Sequence, residues 1–170
     1  SITVDGKVIG KDVDILQNVG AIIEHPGFAH NYSAFRNLKD LAMIRGKIGA
    51  EEVREVIKRV GLDPDSKKHV GKYSMGMKQR LGIAQAIMEN PDILILDEPM
   101  NGLDNQGVSD IRKLLLELKA QGKTILLASH NALDIQMLCD YVCELDCGKL
   151  VKPLTINNRA ENQNTEIEDT

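Results

Sequence analysis

Ile93-Leu94-Ile95-Leu96-Asp97-Glu98-Pro99 decides how this chain folds. Four consecutive large apolar residues fit a strand buried on both faces, as in a parallel sheet covered by helices. The strand ends in two adjacent carboxylates, which repel one another and need compensation from a metal, hydrogen bonds or solvent. Such a strand can bring an acid to the rim of a sheet, where an Asp meets the Mg²⁺ of a bound triphosphate. It can equally be a core strand that closes in an acidic turn, and the stretch alone does not separate the two readings. No Gly-x-x-x-x-Gly-Lys-Ser/Thr loop, the usual cradle for phosphates, occurs upstream of it.

Strands and helices alternate on both sides of this stretch. Ser1 to Gly10 alternate around Asp5-Gly6, a hairpin signal, and Val19-Gly20-Ala21-Ile22-Ile23 reads as a short buried strand ending at Glu24. From Phe28 to about Gly71 the pattern is helical; Val53, Val56, Ile57 and Val60 recur at helical spacing and Gly61 stops the run. Asp63-Pro64-Asp65 is a turn. A further helix starts at Ser74, placed as an N-cap, and runs to about Glu89, where Asn90-Pro91 ends it. After the acidic strand come a helix from about Gln106 to Ala120, a strand Thr124–Ala128 and a helix through Leu133 and Met137. Strands Tyr141–Leu145 and Leu150-Val151 then flank a Cys147-Gly148 turn. The alternation implies an α/β domain with a largely parallel sheet. Pro153 to Thr170 are polar and aperiodic, and are expected to form a disordered tail.

Composition narrows the function classes. The chain has 170 residues, 42% of them hydrophobic, the size of one domain with a sizeable core. A net charge of −4 gives no electrostatic reason to expect nucleic acid. No apolar run reaches the roughly eighteen residues that a membrane span needs. Ser1 to Lys7 lack the apolar core and cleavage pattern of a signal peptide. Cys139, Cys143 and Cys147 fall across a helix end, a strand and a turn, with no histidine nearby to complete a tetrahedral set. They read as reduced, buried thiols suited to a reducing cytoplasm.

Four features stand in order around the acidic strand. Tyr73-Ser74-Met75-Gly76-Met77-Lys78-Gln79-Arg80 is a small-residue loop opening a helix, where a hydroxyl, a glycine and free N–H groups can hold an anion or simply cap the helix. The strand is followed by the tight turn Asn101-Gly102-Leu103-Asp104. Ala128-Ser129-His130 ends the next strand and carries an imidazole. In such sheets ligands bind at the carboxyl ends of the strands.

These motifs closely resemble the ATP-binding domain of ABC transporters. Ser74 to Gly76 match the signature, Ile93 to Glu98 the Walker B strand, Asn101 to Asp104 the D-loop, and His130 the switch histidine. The resemblance covers about residues 1 to 152 and implies a P-loop NTPase fold with a RecA-like core. Residues of about 28–72 would be its helical subdomain, and the signature lies at 73–80. Two departures stand out. The signature reads Tyr-Ser-Met-Gly-Met in place of Leu-Ser-Gly-Gly-Gln, and Glu24 stands where a glutamine is usual. Glu24 remains an oxygen donor able to reach Mg²⁺. Ile23-Glu24-His25-Pro26-Gly27-Phe28 with Ser74 to Arg80 is similar to the subgroup that exports bacitracin and lantibiotic peptides.

The phosphate loop that this family needs is not in these residues. Gly122-Lys123-Thr124 is a decoy, because Glu117 occupies the required first glycine position and the tripeptide leads into a strand. The fold is therefore expected to be incomplete at its N-terminus, a truncated piece. The resemblance places the phosphate-loop strand beside Thr124–Ala128, so its loss is expected to expose apolar edges there and at Tyr141–Leu145, and to make the chain self-associate or swap segments to cover them.

The resemblance implies two domains closing head to tail over two ATP molecules. Asp97 would hold Mg²⁺, Glu98 would be the general base, and His130 would contact the γ-phosphate. Asp104 would join the opposite site, and Ser74 with the Gly76 amide would grip the partner's γ-phosphate. The implied partners are transmembrane permease subunits and a second ATP-binding subunit, identical or related, on the inner face of the cell membrane. A soluble ABC ATPase of ribosomes or chromosomes would carry tandem domains or long coiled coils, and neither appears in these residues. An inactive interaction module is the other alternative, distinguished by its lack of nucleotide affinity.

Overall fold

The structure, a computed structural model, describes residues 2–4, 6–14, 18–24 and 27–156. The chain divides into two compact units, Ser1–Leu126 and Leu127–Thr170.

The first unit is organised by a sheet whose strand order is β3-β4-β5. It is preceded by the expected hairpin, β1 (Thr3–Val4) antiparallel to β2 (Lys7–Val8), with Gly6 in the turn at φ 76°. Strand β3 (Val19–Ile22) runs parallel to β4 (Ile93–Asp97), Gly20 opposite Leu94 and Ile22 opposite Leu96. Strand β5 (Thr124–Ala128) starts where the Thr124 N–H donates to the Asp92 carbonyl, at 2.9 Å. Gly122-Lys123 is the turn into this strand, with Gly122 at φ 83° and the Lys123 ammonium bonded to the Asn90 carbonyl. The tripeptide is thus used structurally, as its position ahead of a strand implied.

Alternation gives this sheet a packed face and an open one. Gly20, Ile22, Leu94 and Leu96 are buried on the first. Ile23, at 68% exposure, and Leu126, at 62%, are open to solvent, and Ile93 and Ile95 are only half-buried. The acidic strand is therefore not buried on both faces as its apolar run suggested; the described helices cover one side. Tyr141 and Leu145 in the second unit are also more than half exposed. Exposed apolar residues of this size favour association. The 170-residue chain is expected to scatter light as a dimer or larger species at high concentration, and a clean monomer there would contradict this.

The helical stretch resolves into two helices and a short 3-10 turn. Helix α1 (Ala34–Arg45) is capped by Ser33, whose hydroxyl accepts from the Arg36 N–H, and ends at Gly46 in the left-handed region. Helix α2 (Ala50–Arg59) has Glu51 and Glu52 in its first turn and Lys58 and Arg59 in its last, matching the helix dipole. Val53, Val56 and Ile57 form its buried face. The break falls at Gly46-Lys47-Ile48-Gly49, where two glycines interrupt the helical run. Buried Asn37 pins the approach to α1, accepting from the Ala29 N–H and donating to the Ala29 and Ser33 carbonyls. The 3-10 turn is Val70–Lys72.

Helix α3 (Met75–Ile87) packs on β3, and Gly20 is the point of contact. A Cβ there would lie 1.8 Å from the Ala86 carbonyl oxygen. Helix α4 (Asn105–Ala120) buries Ile111, Leu114, Leu115 and Leu118, the face expected from its periodicity.

The second unit holds α5 (Ala132–Leu138) and the antiparallel hairpin of β6 (Tyr141–Asp146) with β7 (Lys149–Ile156). Cys147 and Gly148, at φ 48° and 74°, make the two-residue turn. Both central residues with positive φ are what the right-handed twist of a hairpin requires. Strand β7 runs four residues into the segment expected to be an aperiodic tail, as Val142 pairs with Thr155 and Tyr141 with Ile156. Pro153 lies within β7, and the pairing of β6 with β7 shifts register between Val142 and Glu144 and between Glu144 and Leu145. Residues 157–170, the rest of that expected tail, lie outside the described residues. The three cysteines are free thiols, but Cys143 and Cys147 are exposed rather than buried. The hairpin leaves both of them open.

Candidate functional site

Strands β3 and β4 end side by side, so Glu24 and the Asp97-Glu98 pair leave the sheet at the same end. Asp97 is the last residue of β4 and is half-buried. Glu98 follows at φ 45°, in the left-handed region that disfavours any residue with a side chain. Glu24, exposed, leaves β3 at φ 57° in the same conformation. Non-glycine residues in this region persist where surrounding structure over-determines them, and they concentrate at functional sites.

The turn after β4 is built from backbone bonds. The Asn101 N–H donates to the Glu98 carbonyl at 3.0 Å, and the Leu103 N–H to the Met100 carbonyl at 3.2 Å. Gly102 takes φ 75°, and Asp104 then caps α4 by accepting from the Gly107 N–H at 2.8 Å. Ser74 does the same for α3, its hydroxyl accepting from the Met77 N–H at 3.2 Å. Both residues therefore have a capping role whatever else they touch. Met75 and Gly76 fill the first turn of α3, where backbone N–H groups have no partner within the helix.

The start of α3 and the turn after β4 are interlocked. A Cβ on Gly76 would sit 2.7 Å from the Gly102 carbonyl oxygen, and one on Gly102 would sit 2.6 Å from Met75 Cγ. Ser74, Gly76, Glu98 and Asp104 are thus held in one assembly at the end of the sheet. His130 lies in the second unit, exposed, just beyond β5 and ahead of α5.

Two residues in this assembly were not singled out from sequence. The buried Gln79 amide donates from Nε2 to the Glu98 carbonyl at 3.2 Å. Arg80 donates from Nη1 to the Val60 carbonyl at 2.7 Å and pairs through Nη2 with Asp110 at 3.1 Å, joining α2, α3 and α4. The Asp110 carboxyl is held below the usual carboxylate range by the hydrogen bond from Gln106 and then by that from Arg80. Both residues stand in the motif that opens α3. The burial of Gln79 and the half-burial of Arg80 are not signalled in the sequence, since polar residues on a helix are usually solvated.

Among the described residues no group of three or more acidic, histidine or cysteine side chains converges as a metal cluster. Nucleotide-bound Mg²⁺ does not need one, because one or two carboxylates and the phosphates hold it. The end of β4, with two half-exposed carboxylates, fits that donor set. No described helix is long and apolar enough to cross a membrane.

The structure resembles the dimeric structure of MJ0796, a bacterial ABC transporter cassette, with a TM-score of 0.72 and 22% identity. That likeness covers 82% of this chain and 62% of the cassette, and it defines the fold as the P-loop NTPase fold of such cassettes. A family model described as ABC transporter matches residues 1–101, and the chain belongs to that family. It is 45% identical over 150 residues to the ABC transporter ATP-binding protein YybJ of Bacillus subtilis, covering 88% of this chain and 69% of that protein. It is 43% identical over 144 residues to the bacitracin transport ATP-binding protein BcrA of Enterococcus faecalis, covering 84% and 47%. Against the lantibiotic transport ATP-binding protein SrtF of Streptococcus pyogenes the figures are 37% over 136 residues, 80% and 59%. The chain therefore spans about half the length of the bacitracin relatives it matches.

Proposed function

We propose that the chain is part of the ATP-binding and ATP-hydrolysing subunit of a transporter that exports a peptide antibiotic or a similar molecule. Membership of the ABC transporter family supports the class of activity. The observation that carries the site is the assembly at the end of β4. There the start of α3 is locked against the turn that carries Glu98 and Asp104. The likeness to bacitracin and lantibiotic transport proteins supports the substrate class.

In this reading Asp97 holds Mg²⁺, with Glu24 as a second oxygen donor, directly or through water. When bound, the metal neutralises charge that builds on the phosphates during transfer. The Glu98 carboxylate takes the proton from a water whose oxygen attacks the γ-phosphorus, while the bond to the β-phosphate oxygen breaks and ADP leaves. His130 donates to the γ-phosphate. Ser74 and the Gly76 amide stabilise the γ-phosphate bound by a second ATP-binding subunit, and Asp104 joins that opposite site. Positioned donors and dipoles of this kind are the main source of rate enhancement in phosphoryl transfer. Helices α1 and α2 face membrane-embedded permease subunits, and the protein works at the inner face of the cell membrane.

Calorimetric titration separates this from a pure interaction module. The complete gene product is expected to bind Mg²⁺–ATP, and the 170-residue chain to bind it weakly or not at all, since these residues contain no phosphate loop. A complete product without measurable ATP binding would overturn the proposal. Tight binding by the 170 residues alone would move the phosphate cradle onto residues described here.

A further inference from the structure

We infer that Gln79 is a positioning residue for Glu98, and that through it helix α3 sets where the Glu98 carboxylate stands. The inference rests on the reading of Glu98 as the base. Glu98 carries two conformational penalties. It is a non-glycine residue at φ 45°, and it precedes Pro99, whose ring crowds the backbone of the residue before it. Its direction is therefore held by its surroundings. Two donors meet its carbonyl oxygen: the Asn101 N–H at 3.0 Å, which belongs to the turn itself, and the Gln79 side-chain amide at 3.2 Å, which comes from α3.

Gln79 is only 6% exposed, and a buried primary amide without its acceptor would carry a desolvation penalty. The bond is thus hard to break and to replace with water. The same helix carries Met75 and Gly76 about one turn earlier, both packed against Gly102 of the same turn. It is also fixed by Arg80 to the Val60 carbonyl at the end of α2. A displacement of α2 and α3 therefore pulls on the Glu98 peptide group directly. Movement of the helical segment and placement of the base become one event, with Gln79 as the link.

The test uses the complete gene product with its transport partners. Gln79→Met keeps length and volume but removes the donor. It is expected to lower kcat by about tenfold or more while changing the KM for ATP by less than about twofold, the signature of a group that acts on the transition state alone. In a Glu98→Gln background the same substitution is expected to leave the residual rate unchanged, because there is then no base to position. A merely structural role would lower the rate in both backgrounds. Gln79→Glu, which offers an acceptor to an acceptor, is expected to behave as Gln79→Met does and serves if the methionine variant does not fold. Wild-type kcat in either folded variant, or equal losses in the two backgrounds, overturns the inference and leaves the role of Glu98 standing. Full turnover in Glu98→Gln itself overturns the base assignment and the positioning role with it.

Discussion

In the complete gene product, Glu98→Gln is expected to lower steady-state ATP hydrolysis by about 10²- to 10⁴-fold, the range for loss of a positioned proton acceptor. ATP affinity should change by no more than a few-fold, because Asp97 remains at the end of β4. Glutamine has the size and backbone preference of glutamate, so the residue can keep φ 45° and its carbonyl can keep the bonds from Asn101 and Gln79. What is lost is the capacity to accept a proton from water. Phosphate release and equilibrium ATP binding, measured on the same preparation, separate a chemical defect from a folding defect. A variant that keeps its turnover removes Glu98 from the role of base.

Gly20→Ala is expected to destabilise the first unit by about 3 kcal/mol or more. Replacing glycine by alanine within a strand would ordinarily gain about 0.5–1 kcal/mol from backbone entropy. Here the new Cβ would lie 1.8 Å from the Ala86 carbonyl oxygen and 3.0 Å from a Leu94 methyl. The oxygen belongs to the α3 backbone and cannot rotate away, so β3 and α3 must separate. Overpacking costs about 1–3 kcal/mol when side chains can adjust, and more when they cannot. The clash therefore outweighs the entropy gain. Gly27→Ala, where nothing lies within 4 Å of the added atom, is the control and should stay within about 0.5 kcal/mol. Urea denaturation of the two variants gives the comparison, and equal midpoints would show that β3 and α3 are not in the contact described.

Much of this architecture is legible in the residues because local signals agree with one another. Ser74 reads as a cap and caps α3. The periodicity of Val53, Val56 and Ile57 predicts the buried face of α2. The Ile93–Leu96 run followed by two carboxylates predicts a strand with acid at its end, and β4 is that strand. The readings that shifted depend on partners distant in sequence. Burial of β4 on both faces cannot be judged from its own apolar run, since cover comes from other elements. The length of β7 depends on pairing with β6, which carries Pro153 inside the strand against its local preference. Cys143 and Cys147 look like core thiols by residue type, yet they sit on an open hairpin.

The candidate site divides along the same line. Asp97 and Glu98 stand out as adjacent carboxylates at a strand end and Ser74 and Asp104 as helix caps, whereas the roles proposed for them and for Gly76 come from the family resemblance. Gln79 and Arg80 do not stand out, because a glutamine and an arginine on a helix look like solvent-facing residues. Only the fold reveals that one reaches the Glu98 carbonyl and the other ties three helices together.

The central claim is that the acidic end of β4 acts on ATP between two such subunits. Mg²⁺-dependent phosphate release by the complete gene product, followed as its concentration is raised, tests it most directly. Turnover per subunit is expected to climb as dimers form and to collapse in Glu98→Gln. Release that persists in Glu98→Gln, or no release from a protein that binds ATP, would contradict it.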